Sequence, residues 1–429
     1  MRLDGLPNCA KGACGADIQD MALTVQIAMV GAGPAGLAAA LALDAFGCEV
    51  ALVSPAYDPA RMARDMRTTA LLSSSVILLE NLGVWHLCSH TAAPLSAIRI
   101  ADDRGDLLRA PEVLFQASQL GLADFGANIP NAALIAALNA AAEAARGLIQ
   151  VPTSGVVRAT PGDTSVRLEL AEGGSVDAAL VVAADGRGSL VRTGAGIAVR
   201  SWSYPQSAVA TVFRHSRDHG GITTELHRRS GPLTTVPLPG DMSSLVWVEQ
   251  PSEAQRLAAL PEAEFAEALD ERLQGLLGRI SPCGARVVFP LSGHNADRMG
   301  GNRTALVGEA AHVIPPIGAQ GLNLGLRDAC ALADCVAEAR KRGGDIGAPD
   351  VLRSYHQARK GDVLARTLAV DALNRSLLAD FLPAQALRGA GLHLLANSPW
   401  LRRLLMQGGM TPVGALPRLM RADMPVLRA

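Results

Sequence analysis

Apolar runs, glycine-rich turns and helical patterns follow one another closely at the start of the chain. Residues 23–30 and 48–53 are short apolar runs, and an Ala- and Leu-rich helical pattern between them ends near residue 45. Strands that are buried on both faces are typical of parallel sheets covered by helices. The pattern therefore predicts a βαβ unit.

The pattern of apolar and polar residues changes in the middle of the chain and then returns to the earlier one. A helical pattern begins near residue 131, and residues 176–184 form another apolar run. Between about residues 201 and 289, alternating segments broken by Pro and Gly predict an antiparallel sheet. Short strands are predicted at 287–290 and 304–307, a helix at 321–341, and helices over the last part of the chain. The fold class is α/β, with an early α/β domain that is interrupted by a sheet-rich segment and resumes afterwards.

Composition excludes several classes of function. The 429 residues carry a net charge of −1, which gives no attraction for nucleic acid. The seven cysteines include no CxxC pair, so we expect reduced thiols in a cytoplasmic protein and no metal site. No apolar run reaches the roughly 18 residues of a spanning helix. Residues 1–20 lack the apolar run of a signal peptide and are predicted to be disordered.

The first chemical motif is a glycine-rich turn between the first strand and helix. Gly31 permits the tight turn, Gly33 lets a pyrophosphate approach the backbone, and Gly36 lets the helix pack on the strand. The helix N-terminus favours phosphate. Ser54 stands where a carboxylate usually holds the adenosine ribose, and Asp58 lies nearby in the sequence. We predict a dinucleotide site; the alternative is an ordinary glycine-rich turn.

Two further motifs follow. Residues 183–189, with Arg192 after them, place Asp185 and Gly186 at the end of an apolar strand, which taken alone could be only a turn. Residues 307–328 contain a Pro-Pro loop and then a helix that begins near Gly321. Glycines at this helix start would let a flat ring lie against bare backbone. The helix end would favour negative charge on that ring by about 0.3–1 kcal/mol.

The three motifs, in this order, resemble the FAD-dependent aromatic hydroxylases that share the para-hydroxybenzoate hydroxylase fold. Residues 67–71, 82–85, 231–233, 244–247 and 355–374 resemble the ubiquinone-biosynthesis hydroxylases more closely. The likeness covers roughly residues 22–410. It implies a discontinuous Rossmann-like FAD domain (22–95, 128–198 and 284–360), an interleaved antiparallel substrate domain (96–127 and 199–283) and C-terminal helices (361–429).

The resemblance also implies roles for individual residues. The FAD-binding candidates are Gly31, Gly33, Ala35, Gly36, Ser54, Arg67, Asn131, Asp185, Gly186, Arg187, Glu309, Pro316, Gly318, Gln320, Gly321, Leu322 and Asn323. Pro316, beside the flavin ring, and His312 are the catalytic candidates, although His312 is also a candidate structural histidine. Arg327 and Asp328 are interpreted as a structural pair, and no catalytic base is assigned.

The implied activity is a monooxygenase that uses O₂ and NAD(P)H and transfers oxygen from a flavin C4a-hydroperoxide to the ring of a polyprenylated phenol. Such a substrate requires contact with the inner membrane or with a partner in a biosynthetic complex. The candidate membrane contacts are Leu392, Leu394, Leu395, Trp400, Leu401, Leu404 and Leu405, with a buried helix pair as the alternative. A small soluble phenol, an isoprenoid reduced by the flavin and a non-catalytic flavin scaffold remain alternative functions.

Overall fold

The computed structural model describes residues 22–103, 111–281, 284–378, 391, 393–395 and 397–424. Residues 1–20 and Leu392, both subjects of sequence predictions, lie outside that part of the chain. The strands are β1 (Ala22–Val30), β2 (Val50–Ser54), β3 (Thr68–Leu72), β4 (Ala93–Pro94), β5 (Ala97–Asp102), β6 (Val113–Gln116), β7 (Gly126–Pro130), β8 (Leu148–Pro152), β9 (Val156–Pro161), β10 (Val166–Leu170), β11 (Ser175–Ala183), β12 (Val199–His215), β13 (Ile222–His227), β14 (Leu233–Leu238), β15 (Met242–Glu249), β16 (Ile280–Ser281), β17 (Val287–Ala296), β18 (Gly300–Gly301), β19 (Thr304–Leu306) and β20 (His312–Val313). The helices are α1 (Pro34–Ala45), α2 (Pro59–Met62), α3 (Ser73–Asn81), α4 (Trp85–Cys88), α5 (Asn131–Ala144), α6 (Leu190–Gly194), α7 (Pro251–Ala259), α8 (Glu262–Leu273), α9 (Gln320–Lys341), α10 (Pro349–Leu378) and α11 (Pro399–Met410).

The first sheet is the predicted α/β layer. Its strand order is β18-β19-β11-β1-β2-β8, with β9 and β10 paired on β11. The strands β19, β11, β1, β2 and β8 run parallel to one another. The helix α1 packs against both α5 and α9. The predicted βαβ unit is thus confirmed as β1, α1 and β2.

The second sheet has the order β20-β17-β12-β15-β14-β13-β5-β6. Its pairs are antiparallel apart from β13 with β5. One face is covered by α7 and α8. Leu257 of α7 and Phe265 of α8 pack in one cluster with Phe213 and Trp247 of the sheet. The sequence pattern did not predict these two helices, because each is short and follows a proline inside a segment that otherwise alternates like strands.

The opposite face of this sheet, here called the inner face, looks toward a small third sheet of β3, β7 and β4. Ser244 on the inner face accepts a 2.8 Å hydrogen bond from the Thr68 hydroxyl of β3. Val246 and Phe289 on the same face are only half-buried. The inner face therefore keeps some apolar surface that its neighbours do not cover completely.

The helix α10 lies against the second sheet through three polar contacts. Asp371 accepts from the Tyr204 hydroxyl at 2.6 Å, and the Asn374 amide donates to Gln206 at 2.8 Å. Thr367 and Asn295 form the third contact, at 3.2 Å. Because the three helix residues are four and three positions apart, they share one face of α10.

The structure differs from the predicted segment boundaries in two places. The boundary at residue 284 comes before β17, yet β17 pairs along its length with β12 of the second sheet. The boundary at residue 360 falls inside α10, which is continuous from Pro349 to Leu378. Sequence texture marks where strands begin, but it does not show which sheet a strand joins.

The helix α11, near the end of the described chain, packs against the second sheet. Met406 of α11 is buried beside Val113 and Phe115 of β6, with Leu395 and Met410 packed around them. None of the described helices combines the length and apolar character that crossing a membrane requires.

Candidate functional site

The glycine-rich turn has the backbone geometry that the sequence predicted. Gly31 has φ of 106°, and a Cβ there would lie 2.4 Å from the Ala184 carbonyl oxygen. A Cβ on Gly36 would lie 2.2 Å from the Gly31 oxygen, whereas a Cβ on Gly33 would have no atom within 4 Å. Gly31 and Gly36 are therefore required by packing, while Gly33 faces open space at the start of α1. No side chain caps α1, so its first N–H groups remain available to a ligand.

The first and third motifs are in direct contact. A Cβ placed on Gly308 would lie 3.1 Å from the methyl group of Ala35, and a Cβ placed on Gly325 would lie 3.2 Å from it. Side chains at these glycines would force the helices α1 and α9 apart. Ala35 thus acts in the packing of the two helix N-termini.

At the end of β2, Ser54 is only 6% exposed, and its hydroxyl lies 3.2 Å from the carbonyl oxygen of Pro55. Asp58 accepts hydrogen bonds from the backbone amides of Ala60 and Arg61 at 2.9 and 3.2 Å. It is the N-cap of α2. Asp58 is therefore occupied with a helix start, and Ser54 remains the side chain at the strand end.

The second motif presents a buried carboxylate. Asp185 Oδ2 accepts from the backbone amide of Val191 at 3.3 Å, while Asp185 Oδ1 is buried without a protein partner. Gly186 has φ of 83° and turns the chain after this residue. The turn is held by Arg192, which donates to the carbonyl oxygens of Arg187 and Ala310. The unsatisfied oxygen is an acceptor suited to a ligand hydroxyl.

A third group of predicted residues lies around the start of β3. The Arg67 guanidinium donates to both carboxylate oxygens of Asp65 at 2.8 and 2.7 Å. Asn131 accepts from Thr69 at 2.6 Å, and its backbone amide donates to the Arg67 carbonyl. Burial alone would raise the pKa of Asp65, but the bonds from Arg67 outweigh it and hold that pKa below its ordinary value.

Glu309 connects this group to the second motif. It lies in a 3-10 turn, with its side chain 63% exposed and 3.9 Å from the Arg187 guanidinium. The bond to Asp65 raises the pKa of Arg67, and the charge of Glu309 adds to that effect. Arg67, Arg187 and Glu309 therefore share one neighbourhood, although they are far apart in the sequence.

The loop before α9 has a strained start. Gly318 has φ of 66°, and Ala319, with φ of 54°, is the N-cap of α9. Gln320 donates from its side-chain amide to the Gly318 carbonyl at 2.9 Å. A Cβ on Gly321 would have no atom within 4 Å. The helix start thus presents a bare backbone surface, and Leu322 packs behind it against the core.

Asn323 holds this loop in place. Its side-chain oxygen accepts from the Leu72 amide and the Ser75 hydroxyl, and its nitrogen donates to the carbonyls of Ala70 and Ala319. The residue is completely buried. Its side chain is fully engaged by the protein, so it can serve a bound cofactor only by fixing the backbone around it.

His312 lies in a buried ionic network behind the loop. Its Nε2 is 2.6 Å from Asp328 Oδ2, and Asp328 also accepts from Arg359 at 2.7 Å and from the Gly308 amide at 3.1 Å. Arg327 instead faces Asp362 at 3.3 Å. Arg327 and Asp328 do not pair with each other, because each side chain binds a partner on α10; only the pairing in that interpretation was wrong.

Burial and charge compete at the centre of the network. Burial alone would raise the pKa of Asp328, but the neighbouring His312 and Arg359 outweigh it and hold the pKa below its ordinary value. Asp362, between Arg359 and Arg327, has its pKa lowered in the same way. Both carboxylates are therefore ionised at neutral pH.

A model of the family described as FAD binding domain matches residues 24–367. The chain belongs to this family. It is 34% identical over 406 residues to ubiquinone hydroxylase UbiL of Rhodospirillum rubrum, covering 92% of each chain. It is 32% identical to 3-demethoxyubiquinol 3-hydroxylase of Escherichia coli, covering 88% of this chain and 96% of that protein.

The fold agrees with this assignment. The crystal structure of p-nitrophenol 4-monooxygenase PnpA from Pseudomonas putida matches with a TM-score of 0.73 at 19% identity, covering 92% of this chain and all of that one. The protein is an FAD-dependent monooxygenase.

The residues of this flavoprotein fit FAD. The open backbone at Gly33 and the uncapped start of α1 suit a pyrophosphate, and the unsatisfied Asp185 oxygen suits a sugar or ribityl hydroxyl. The bare surface at Gly318 and Gly321 suits a flat ring.

Two side chains of the site were not found from the sequence. Asp65 could have been noticed as a carboxylate two residues before Arg67. His294, whose Nε2 donates to the Glu309 carbonyl at 3.0 Å, gave no local signal because the contact depends on the pairing of β17 with β20. Burial, with help from the charge of Arg192, lowers the pKa of His294 to about 4, so the ring is neutral at pH 7.

Proposed function

We propose that this enzyme hydroxylates the aromatic ring of a polyprenylated phenol in ubiquinone biosynthesis, with NAD(P)H as the electron donor. The observation that carries the proposal is the half-buried apolar surface of Val246 and Phe289 on the inner face. It suits a ring with an apolar substituent better than a freely soluble phenol. The similarity to two ubiquinone hydroxylases along nearly the whole chain supports the same substrate class.

In this proposal FAD supplies the oxygen chemistry, and the protein supplies binding, orientation and exclusion of water. Gly33 and Asp185 would hold the nucleotide and ribityl groups. Pro316 and Gly321 would lie beside the ring, while the exposed guanidinium groups of Arg67 and Arg187 would offer positive charge to the phosphates of the donor. His312, bonded to Asp328, holds the Gly308 turn rather than moving a substrate proton.

A polar chain on the inner face offers a contact for the substrate hydroxyl. Trp202 donates to the Tyr204 oxygen at 2.7 Å, and the Tyr204 hydroxyl donates to Asp371. Burial, followed by the bond to Asp371, raises the pKa of Tyr204 to about 12. The phenol therefore stays protonated at neutral pH, and we assign it to positioning and not to proton removal.

The test is a strain that lacks the gene and is grown under ¹⁸O₂ with and without a plasmid copy. We expect the deletion to accumulate a polyprenylated phenol that lacks a ring oxygen, and the plasmid copy to restore a quinone that carries ¹⁸O. Unchanged ubiquinone in the deletion strain, with no other hydroxylase present, would refute the substrate. Donor-dependent oxygen consumption with a small phenol alone would instead favour a soluble substrate. No turnover with any phenol would favour a scaffold.

A further inference from the structure

The outer side of α11 and the short stretch before it carry large apolar side chains that the described fold leaves exposed. The exposed fractions are 57% for Leu394, 68% for Trp400, 56% for Leu404 and 49% for Leu405. We call these four residues the α11 surface. Single exposed leucines are ordinary, but a cluster on one short segment marks an interaction site.

The exposure is not a sign that α11 is loosely placed. Met406 is buried, and it packs with Leu395 and Met410 against Val113 and Phe115 of β6. The helix therefore already has a packed side, and the α11 surface is a second apolar side. A helix that is apolar on two sides needs a second partner to cover the outer one.

The charged residues of this segment indicate the chemistry of that partner. From residue 391 to residue 422 the sequence contains no aspartate or glutamate, while Arg402 and Arg403 lie within α11. Arg403 is exposed beside Leu404. A tryptophan and leucines flanked by arginines, without acidic residues, match the interface of an anionic bilayer.

We propose that the α11 surface binds an anionic lipid bilayer, with Trp400, Leu404 and Leu405 in the headgroup region and Arg403 facing the lipid charges. The proposed function requires a substrate with a long apolar tail, and this proposal names the surface that would meet the membrane holding it. It rests on the proposed function only for the identity of that substrate. Binding of vesicles can be measured without turnover, so the two proposals can fail separately.

The packed side of α11 lies on the same face of the second sheet as the proposed ring site. Ile100 of β5 belongs to the cluster under α11, and it is the cross-strand partner of Glu225. Glu225 pairs with Thr234, and Thr234 pairs with Val246. Directly opposed residues in a sheet share a face. The covered side of α11 therefore lies on the same inner face as the proposed ring site, so the proposed bilayer contact and the ring site lie on one side of the sheet.

The experiment is flotation of the FAD-loaded, full-length protein with vesicles of phosphatidylcholine alone or with phosphatidylglycerol added. We expect binding to the anionic vesicles, weakened by salt. Trp400→Ala and Leu404→Glu should abolish it, and Arg403→Gln should weaken it roughly fivefold. Val157→Glu is the matched control, because Val157 is 54% exposed on β9 of the first sheet, and it should bind like the parent protein.

Point substitutions are preferred to truncation after residue 397. Arg327 donates to the Met410 carbonyl and Arg366 to the Thr411 carbonyl, so removing this segment would take one hydrogen-bond acceptor from each of two buried arginines. Equal FAD content and equal unfolding midpoints would show that the variants are folded.

Several outcomes would overturn the proposal. They are absence of vesicle binding by the parent protein, equal binding by Leu404→Glu, or equal loss in Val157→Glu. If light scattering shows a dimer that Leu404→Glu dissociates while vesicles do not bind, the surface is an interface between copies of the chain. Capture of another protein by this surface without vesicle binding would also contradict it.

Discussion

Replacement of Gly321 by valine tests where the flavin ring lies. Gly321 is the second residue of α9, and its backbone is not in the left-handed region. A Cβ there would meet no protein atom within 4 Å. The protein itself therefore leaves room for a side chain, and any cost of the substitution must come from a bound molecule.

The expected magnitudes follow from this geometry. Glycine is among the poorest helix formers. The free energy of unfolding of the apoprotein should therefore stay equal or rise by roughly 0.3 kcal/mol. Overfilling a packed contact costs about 1–3 kcal/mol. If the ring lies against Gly321, this corresponds to FAD binding that is weaker by roughly 5-fold to 150-fold.

The assay combines two measurements on the same apoprotein: FAD titration followed by quenching of flavin fluorescence, and urea unfolding. Gly36→Ala is the contrasting variant, since its Cβ would lie 2.2 Å from the Gly31 carbonyl oxygen and should lower the unfolding midpoint. Normal FAD affinity and turnover in Gly321→Val would show that the ring lies elsewhere. Lowered stability of that apoprotein would contradict the open space at this position.

Three further predictions address the cofactor and the buried charges. The purified protein should carry FAD non-covalently, and Ser54→Glu should tighten binding if the end of β2 meets the ribose; weaker binding in a folded variant would count against that placement. Asp328→Asn leaves the buried Arg359 short of a partner and should lower the free energy of unfolding by about 3–5 kcal/mol, whereas Asp371→Asn, at a partly exposed site, should cost far less. Because the pKa values of Asp328 and Asp362 lie below the ordinary 3.8, their stabilisation is complete above about pH 5 and is lost as pH falls through the folded-state values; urea midpoints at pH 5, 4 and 3 should fall steeply, and a flat profile would refute this.

Features encoded over short stretches of chain could be predicted from the sequence. The βαβ unit and the glycine turn depend on neighbouring residues, so periodicity and spacing were enough to find them. The strand that ends before Asp185 and the helix that starts near Gly321 were predictable for the same reason. The resemblance then supplied the order of the motifs.

Features that depend on distant neighbours could not be predicted. The partners of Asp328 lie 16 and 31 positions away in the sequence, and the charge of Glu309 acts on Arg67, which is more than two hundred positions away, only in the folded chain. The use of Asp58 as a helix cap was also hidden, because α2 is too short to leave a periodic pattern. The packed and exposed sides of α11 could be separated only once β6 was seen beneath it.

The three contacts from α10 to Asn295, Tyr204 and Gln206 limit how this enzyme can change over evolutionary time. The same helix also supplies Arg359 and Asp362 to the ionic network behind the loop that precedes α9. A recombination event that exchanged only the segment from β12 to β17 would bring in Tyr204, Gln206 and Asn295 without the α10 residues that contact them. New substrate preferences should therefore arise by point changes on the inner face, or by joint inheritance of the sheet and α10, and not by transfer of the sheet as an independent module.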